Sequence, residues 1–132
     1  LWGWYTSGHQ FNLSNIIIIP FQDSISLQNY YNSSLVLINL TEKGSFDKVV
    51  IESVLCGCLP ITNNSSFKEF LMDINFINSC SPISIANRIN KILSMNHDDL
   101  LLIRKTNLNI IKNKFSINNL GKEININFEK ND

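Results

Sequence analysis

Short continuous apolar runs alternate along this chain with stretches in which apolar residues recur at helical spacing. The runs predict strands at 15–21, 35–40, 59–62 and 74–78. The first of them, "NIIIIPF", is stopped by a proline. Uninterrupted apolar runs bounded by turn residues are typical of strands that are buried on both faces of a sheet.

Helical spacing occupies the segments between and after these strands. Asp23 or Ser24 is a suitable N-cap for a first helix, Gly57 is a normal stop after a second, and Pro82 marks the start of a later one. The pattern predicts helices at 23–34, 46–57, 65–71, 81–95, 98–115 and 116–130. In the last of these, the alternation of asparagine and isoleucine at 124–128 fits a strand equally well.

The order of these elements predicts a parallel sheet covered by helices, a Rossmann-like α/β layer. We expect an α/β core over about 12–80 and C-terminal helices over 81–132, within one domain or part of one. In such sheets ligands bind outside the carboxyl ends of the strands. A receiver-like, flavodoxin-like domain shares the alternation, but it needs an acidic cluster after its first strand, and the sequence has none there.

Composition narrows the class of protein. The 132 residues carry 11 basic and 11 acidic side chains, so no basic stripe indicates nucleic acid as a partner. The three cysteines form no C-x-x-C pair, which argues against a zinc site and favours reduced thiols. The longest aliphatic run, 16–19, is far shorter than a membrane span. We therefore expect a cytoplasmic protein.

The segment "GSFDKVVIESVLCGCLP" places an acid inside an apolar helix at the expected ligand edge. Gly44 and Ser45 let the backbone approach a ligand closely, and the free N–H groups of the following helix can hold a phosphate. Glu52 could reach back and accept hydrogen bonds from the hydroxyls of a sugar. The alternative is that Glu52 lies on the solvent face. The apolar residues around it favour the functional interpretation, in which Glu52 is wedged in a mostly buried helix.

The stretch "GSFDKVVIESVLCGCLPITNNSSFKEFL" resembles the signature of the retaining glycosyltransferases of family 4, which have the GT-B fold. Their C-terminal domain carries E-x-F-G-x-x-x-x-E, then A-x-G-x-P-V and a downstream E-[IVL]. Phe46, the helix ending at Glu52, "CGCLPIT" and Glu69 match these elements. The flanks "NIIIIPFQDSISLQNYYNSSLVLINL" and "IIKNKFSINNLGKEI" are also similar to the family, so the resemblance covers most of 12–128.

The resemblance implies roles for individual residues. Glu52 matches the glutamate that binds the ribose of the donor nucleotide, and Glu69 matches a position that supports the fold. The segment that approaches the sugar and diphosphate corresponds to Phe46, Asp47 and Lys48. The loop on which the base rests corresponds to Phe21 and Gln22.

Two positions depart from the family's pattern. The family's first glutamate, which contacts the transferred sugar, falls on Gly44, with Glu42 two residues early. Asp47 replaces a glycine, and an acid beside a diphosphate is unfavourable unless it caps the helix, turns away or is offset by Lys48. Both departures bear on the donor sugar and on activity.

The resemblance thus implies the C-terminal, donor-binding half of a GT-B glycosyltransferase, truncated at its N-terminus. We expect a nucleoside-diphosphate sugar as the donor, transfer with retention, and neither a cofactor nor a metal. The acceptor domain and the basic residues that neutralise the diphosphate would precede Leu1, and that part would make any peripheral contact with the inner face of the membrane. The alternative is a non-catalytic relative used for nucleotide sensing or assembly, which the loss of an acid at Gly44 favours.

Overall fold

The computed structural model describes residues 2–3, 16–41, 44 and 46–115 of the chain. These residues form a mixed α/β arrangement that contains two separate pairs of parallel strands. The elements in chain order are β1 (Trp2–Gly3), β2 (Ile17–Ile18), α1 (Ser24–Ser33), β3 (Val36–Asn39), α2 (Lys48–Leu55), β4 (Leu59–Thr62), α3 (Pro82–Leu93) and α4 (His97–Lys114). Short 3₁₀ turns at Ser65–Phe67 and Asp73–Asn75 lie between β4 and α3.

The central unit is a crossover from β3 through α2 to β4. β3 and β4 pair in parallel, with Val36 opposite Leu59 and Asn39 opposite Thr62. β4 is buried throughout, as its apolar sequence predicts. β1 and β2 form the other parallel pair. The prediction of an α/β class with parallel strands is therefore confirmed at this level.

Two of the predicted strands are wrong in extent. The run at 15–21 contributes only Ile17–Ile18, and Ile17 is 56% exposed, so this strand is not buried on both faces. The run at 74–78 begins with a 3₁₀ turn and makes one isolated parallel bridge, from Phe76 to Thr62. The side-chain amide of Asn75 donates to the Pro60 carbonyl oxygen at 2.7 Å, where a paired strand would have used its backbone.

The helices begin and end where their caps place them. The carboxylate of Asp23 accepts from the Ser26 N–H at 2.7 Å before α1, and the Ser81 hydroxyl accepts from the Ser84 N–H before α3. α4 begins at His97, one residue ahead of the predicted start at 98, and Asn96 caps it. Gly57 ends α2 with φ +81°, a left-handed conformation that glycine adopts without strain. The predicted helix at 65–71 is only a 3₁₀ turn at Ser65–Phe67, and the one at 116–130 lies outside the described residues.

Two apolar clusters make up the core of the part of the chain that the structure describes. The first joins α2, the Ser65–Phe67 turn and α4 through Val50, Val54, Phe67, Leu71 and Ile111. The second joins β4 to α3 and α4 through Leu59, Ile61, Ile77, Ile92 and Ile103. Within the described residues, none of the helices combines the length and the apolar character needed to cross a bilayer.

Candidate functional site

The carboxyl ends of β3 and β4 lie side by side because the two strands are parallel and in register. The chain leaves β3 at Asn39 and enters α2 at Lys48, and it leaves β4 at Thr62. The N-terminus of α2 therefore follows directly from the edge of the sheet where ligands of parallel α/β proteins bind. We call this region the carboxyl edge.

A network of buried polar side chains occupies the carboxyl edge. The Asn39 side-chain amide donates to Asp47 Oδ2 at 2.8 Å, and the Thr41 hydroxyl donates to Asn39 Oδ1 at 2.8 Å. From the end of β4, Asn64 Nδ2 donates to the Thr41 hydroxyl at 3.3 Å, while the Asn64 backbone N–H donates to Thr62 Oγ1 at 3.1 Å. Asn39, Thr62 and Asn64 are all buried, so the network fixes the two strand ends to each other.

Sequence reasoning missed this network. Its members are asparagines and threonines in the last positions of strands and just beyond them, which was a usable signal. Asparagine is so abundant in this chain that single positions did not stand out.

Asp47 precedes α2 but does not cap it. It has extended backbone dihedrals of the N-cap type, yet its side chain makes no hydrogen bond to the first turn. The carboxylate is held by Asn39 instead, at the end of β3. Asp47 therefore turns away from the helix amides, which is one of the arrangements in which an acid is tolerated at this position. Lys48 follows it as an exposed side chain.

Gly44 is exposed and has φ +98°, which an L-residue rarely adopts. Its backbone N–H donates to the Ser66 hydroxyl at 3.2 Å, which links the loop after β3 to the turn after β4. Ser66 is itself tied to Asn64, whose Oδ1 accepts from the Ser66 N–H at 2.9 Å. Glu42 and Ser45, predicted as part of the same loop, lie outside the described residues.

Glu52 is exposed, so the expectation that it is wedged among buried residues is wrong. The buried residues of α2 are Val50, Ser53 and Val54. A helix turns by about 100° per residue, and this turn carries Glu52 outward while the small Ser53 goes in. The Ser53 hydroxyl is satisfied there by donating to the Val50 carbonyl oxygen at 2.8 Å.

The pKa of Tyr31 on α1 depends in part on the acidic side chains at α2. Burial first, and then the negative charges of Glu52 and Asp47, raise the pKa of Tyr31 to about 12. Tyr31 is the buried residue of α1, and α1 packs against α2. The carboxylates of Glu52 and Asp47 therefore both act on Tyr31, which stays a neutral phenol at physiological pH.

Phe46 belongs to a group of four aromatic rings beside the start of α2. Its ring centroid lies 5.0 Å from that of Phe67, 5.4 Å from Phe70 and 6.1 Å from Phe115. Phe67 is fully buried, whereas Phe46 is 45% exposed. The predicted contact residue Phe46 therefore shows part of its ring to solvent while packing anchors the rest.

Glu69, for which the resemblance implied a supporting role, forms an ion pair at the protein surface. It accepts from Lys114 Nζ at 2.6 Å, and this bond is the main reason why its pKa is lowered. The pair joins the turn after β4 to the end of α4. Because both side chains are well exposed, its net contribution to stability is small.

Phe21 and Gln22, expected to hold a base, follow β2 in the other strand pair. Phe21 is 81% exposed, and Gln22 Nε2 donates to the Pro20 carbonyl oxygen at 2.9 Å. The hydrogen-bonded network of the carboxyl edge is built from other residues.

The three cysteines differ in access, which predicts their order of reaction. Burial raises the pKa of the Cys58 thiol to about 12, and burial also raises the pKa of Cys56, whereas Cys80 is exposed. Since the thiolate is the nucleophile, iodoacetamide at pH 8 should modify Cys80 first and Cys58 last. Peptide mass spectrometry over a time course measures this order, and in denaturant the differences should disappear. Early alkylation of Cys58 in the folded protein would contradict the assignment.

Within residues 16–41, 44 and 46–115, no cluster of three or more His, Cys, Asp or Glu side chains is suited to hold a metal ion. In comparisons with known proteins, no family model, no curated protein and no solved structure matches the chain. Function is therefore inferred from the residues at the carboxyl edge and from the resemblance of the motif around Glu52.

Proposed function

We propose that this chain is the donor-binding part of a glycosyltransferase that transfers a sugar, with retention, from a nucleoside diphosphate to an acceptor. The observation that carries the proposal is the β3–α2–β4 crossover, whose motif residues follow the carboxyl edge in the order that the resemblance implies. The finer fold assigned by the proposal is Rossmann-like, as the C-terminal half of a GT-B enzyme. The acceptor would be bound by another part of the same protein.

The diphosphate is assigned to the first turn of α2. The N–H groups of Lys48 and Val49 precede the first intrahelical bond, which Val50 donates to the Asp47 carbonyl oxygen at 3.1 Å, and the helix dipole favours an anion. Asp47 does not occupy these donors, because its carboxylate is bonded to Asn39. Gly44, in the loop before α2, has φ +98°, a left-handed conformation that a residue with a side chain adopts only with strain.

Glu52 is assigned to the ribose. A helical side chain leans toward the N-terminus of its helix, so a carboxylate one turn into α2 leans toward the mouth of the site. Its exposure leaves both oxygens accessible to a pair of vicinal hydroxyls, which can donate two charge-assisted hydrogen bonds.

The transfer step then depends on electrostatics in this part of the protein. The departing diphosphate carries the developing charge, and preorganised N–H donors stabilise it without a proton transfer. In this proposal Glu52 binds the donor and does not act as a general base. In this proposal basic groups elsewhere in the protein complete the neutralisation, and no metal or cofactor takes part.

A non-catalytic relative that senses nucleotides is the second candidate. Gly44 favours it, since this position carries a glutamate toward the transferred sugar in the family that the motif resembles. Such a protein would bind the nucleotide at the same edge but would not turn over a nucleotide sugar.

The proposal predicts stabilisation by one nucleoside diphosphate. A thermal-shift series with UDP, GDP and ADP should raise the midpoint with one of them. Ligand at 100 times its dissociation constant adds about 2.7 kcal/mol, which corresponds to about 10 °C for a domain of this size. Glu52→Ala should abolish most of the shift.

The matched control is Glu69→Ala, which removes an exposed glutamate that does not face the ribose site. It should keep the nucleotide-induced shift. A folded wild-type protein whose midpoint no nucleotide moves would sink the proposal. Binding without hydrolysis or transfer of any nucleotide sugar by the full-length protein would decide for the sensing candidate.

A further inference from the structure

A polar groove, separate from the site at α2, lies at the carboxyl end of the sheet. It borders the segment that runs beside the end of β4. Phe76 bridges to Thr62 in parallel, and the Ile77 N–H donates to the Thr62 carbonyl oxygen at 3.0 Å. Ile77 and Asn78 thus continue past the same edge at which β4 ends. A cavity of about 300 Å³ borders this segment on the side of the β4 end, and another of about 250 Å³ borders it on the side of α3.

The lining of the two cavities is rich in cations and hydrogen-bond donors. Lys68 lines the first, and Arg88 and Lys91 line the second. The remaining polar contributors are amides and hydroxyls, namely Asn63, Ser65, Asn78, Ser84 and Asn87. Among the residues that the structure describes, neither lining includes a carboxylate, although acidic and basic side chains balance over the whole chain. The groove is therefore a local positive region in a neutral protein.

The α3 side of the groove is ordered by helical spacing. Ser84, Asn87, Arg88 and Lys91 recur at intervals of three and four residues, so they share one face of α3. Arg88 Nη1 donates to the Ile74 carbonyl oxygen at 3.1 Å, which fixes the guanidinium against the segment that precedes Ile77. This bond uses one of the five N–H donors of the group, and the others suit an oxyanion.

We propose that this groove binds a small soluble molecule carrying a phosphate monoester. A phosphate accepts hydrogen bonds from arginine, lysine, amide and hydroxyl donors, and these are the polar side chains present. At about 300 and 250 Å³, the cavities lie at or just below the lower end of the range for small-ligand sites, which favours a compact molecule over an extended polymer. The site is distinct from the first turn of α2, and it stands whether or not the protein is a glycosyltransferase.

Glycerol 3-phosphate is the probe for the test, titrated into the ¹⁵N-labelled full chain at low ionic strength. Amide shifts should concentrate at residues 63–68, 77–80 and 84–91. The double variant Lys68→Gln, Lys91→Gln should raise the dissociation constant by about tenfold, since each exposed charge contributes a factor of about three. Arg88 is kept because its bond to Ile74 also supports the fold.

The control is Lys105→Gln with Lys112→Gln, which removes two exposed lysines from α4 and gives the same change in net charge. It should leave the dissociation constant within twofold. Equal weakening in both double variants would show attraction by bulk charge and overturn the proposal. So would sedimentation with vesicles containing phosphatidic acid in place of binding to the soluble phosphate, because the surface would then belong to a lipid headgroup.

Discussion

Replacing Phe67 with alanine is expected to lower the free energy of unfolding by about 3 to 5 kcal/mol, the usual cost of removing a buried aromatic ring. Phe67 is 0% exposed and packs in the apolar cluster with Val50 and Ile111, which joins α2 to α4. Because the Phe67 ring also packs against Phe46, its loss removes a packing contact of a residue in the proposed site. Urea denaturation followed by circular dichroism measures the change.

Phe67→Leu separates volume from the mere presence of an apolar side chain. It should recover more than half of the stability that alanine loses, since leucine fills part of the space. A loss below about 1 kcal/mol for Phe67→Ala would mean that the cluster does not hold α2 against α4.

Replacing Asn107 with alanine is expected to cost about 2 to 4 kcal/mol, although the residue is polar. Asn107 is fully buried in α4. Its amide donates to Asn75 Oδ1 at 2.9 Å, and its Oδ1 accepts from the Met72 N–H at 3.0 Å. Alanine leaves both partner groups without a bond in a region that water does not readily reach. Thermal and chemical denaturation should agree on the loss.

Asn109→Ala is the matched control, because Asn109 is exposed on the same helix two residues away. Its effect should stay within about 0.5 kcal/mol, as is usual for surface positions. Similar losses in the two variants would point to helix propensity and not to the buried bonds.

Local sequence signals predicted the elements that carry strong local chemistry. Gly57 marks the end of α2, and Pro82 marks the start of α3, because a left-handed turn and a first-turn proline are decided by the residues themselves. The prediction of a strand at 74–78 was wrong in extent for the opposite reason. The apolar residues of this run suit a strand, but Asn75 makes a tertiary hydrogen bond to Pro60 that no local pattern reveals.

The geometry around the proposed site was predictable in part. The alternation of strands and helices predicts that β3 and β4 are parallel, with their carboxyl ends side by side, as the structure has them. The outward direction of Glu52 matches the alternative in which it lies on the solvent face, and not the favoured interpretation. The apolar neighbours favoured a buried carboxylate, but the small polar Ser53 takes the buried place in α2. The bond between Asn39 and Asp47 joins residues on two elements, and it decides where the acid points.

The outer side of β4 shows how this sheet ends. In β4 the backbone N–H of Leu59 points toward β3, where it donates to the Leu35 carbonyl oxygen. The backbone of the next residue, Pro60, therefore points to the other side of the strand. Proline has no N–H to offer there, and its carbonyl oxygen already accepts from Asn75. The 3₁₀ turn at Asp73–Asn75 and the bridge from Phe76 to Thr62 cover this side of β4, which is buried throughout, so a strand from another molecule cannot pair there. The chain thus closes this side of the sheet with its own segment, and the strand offers no edge there on which other chains could aggregate.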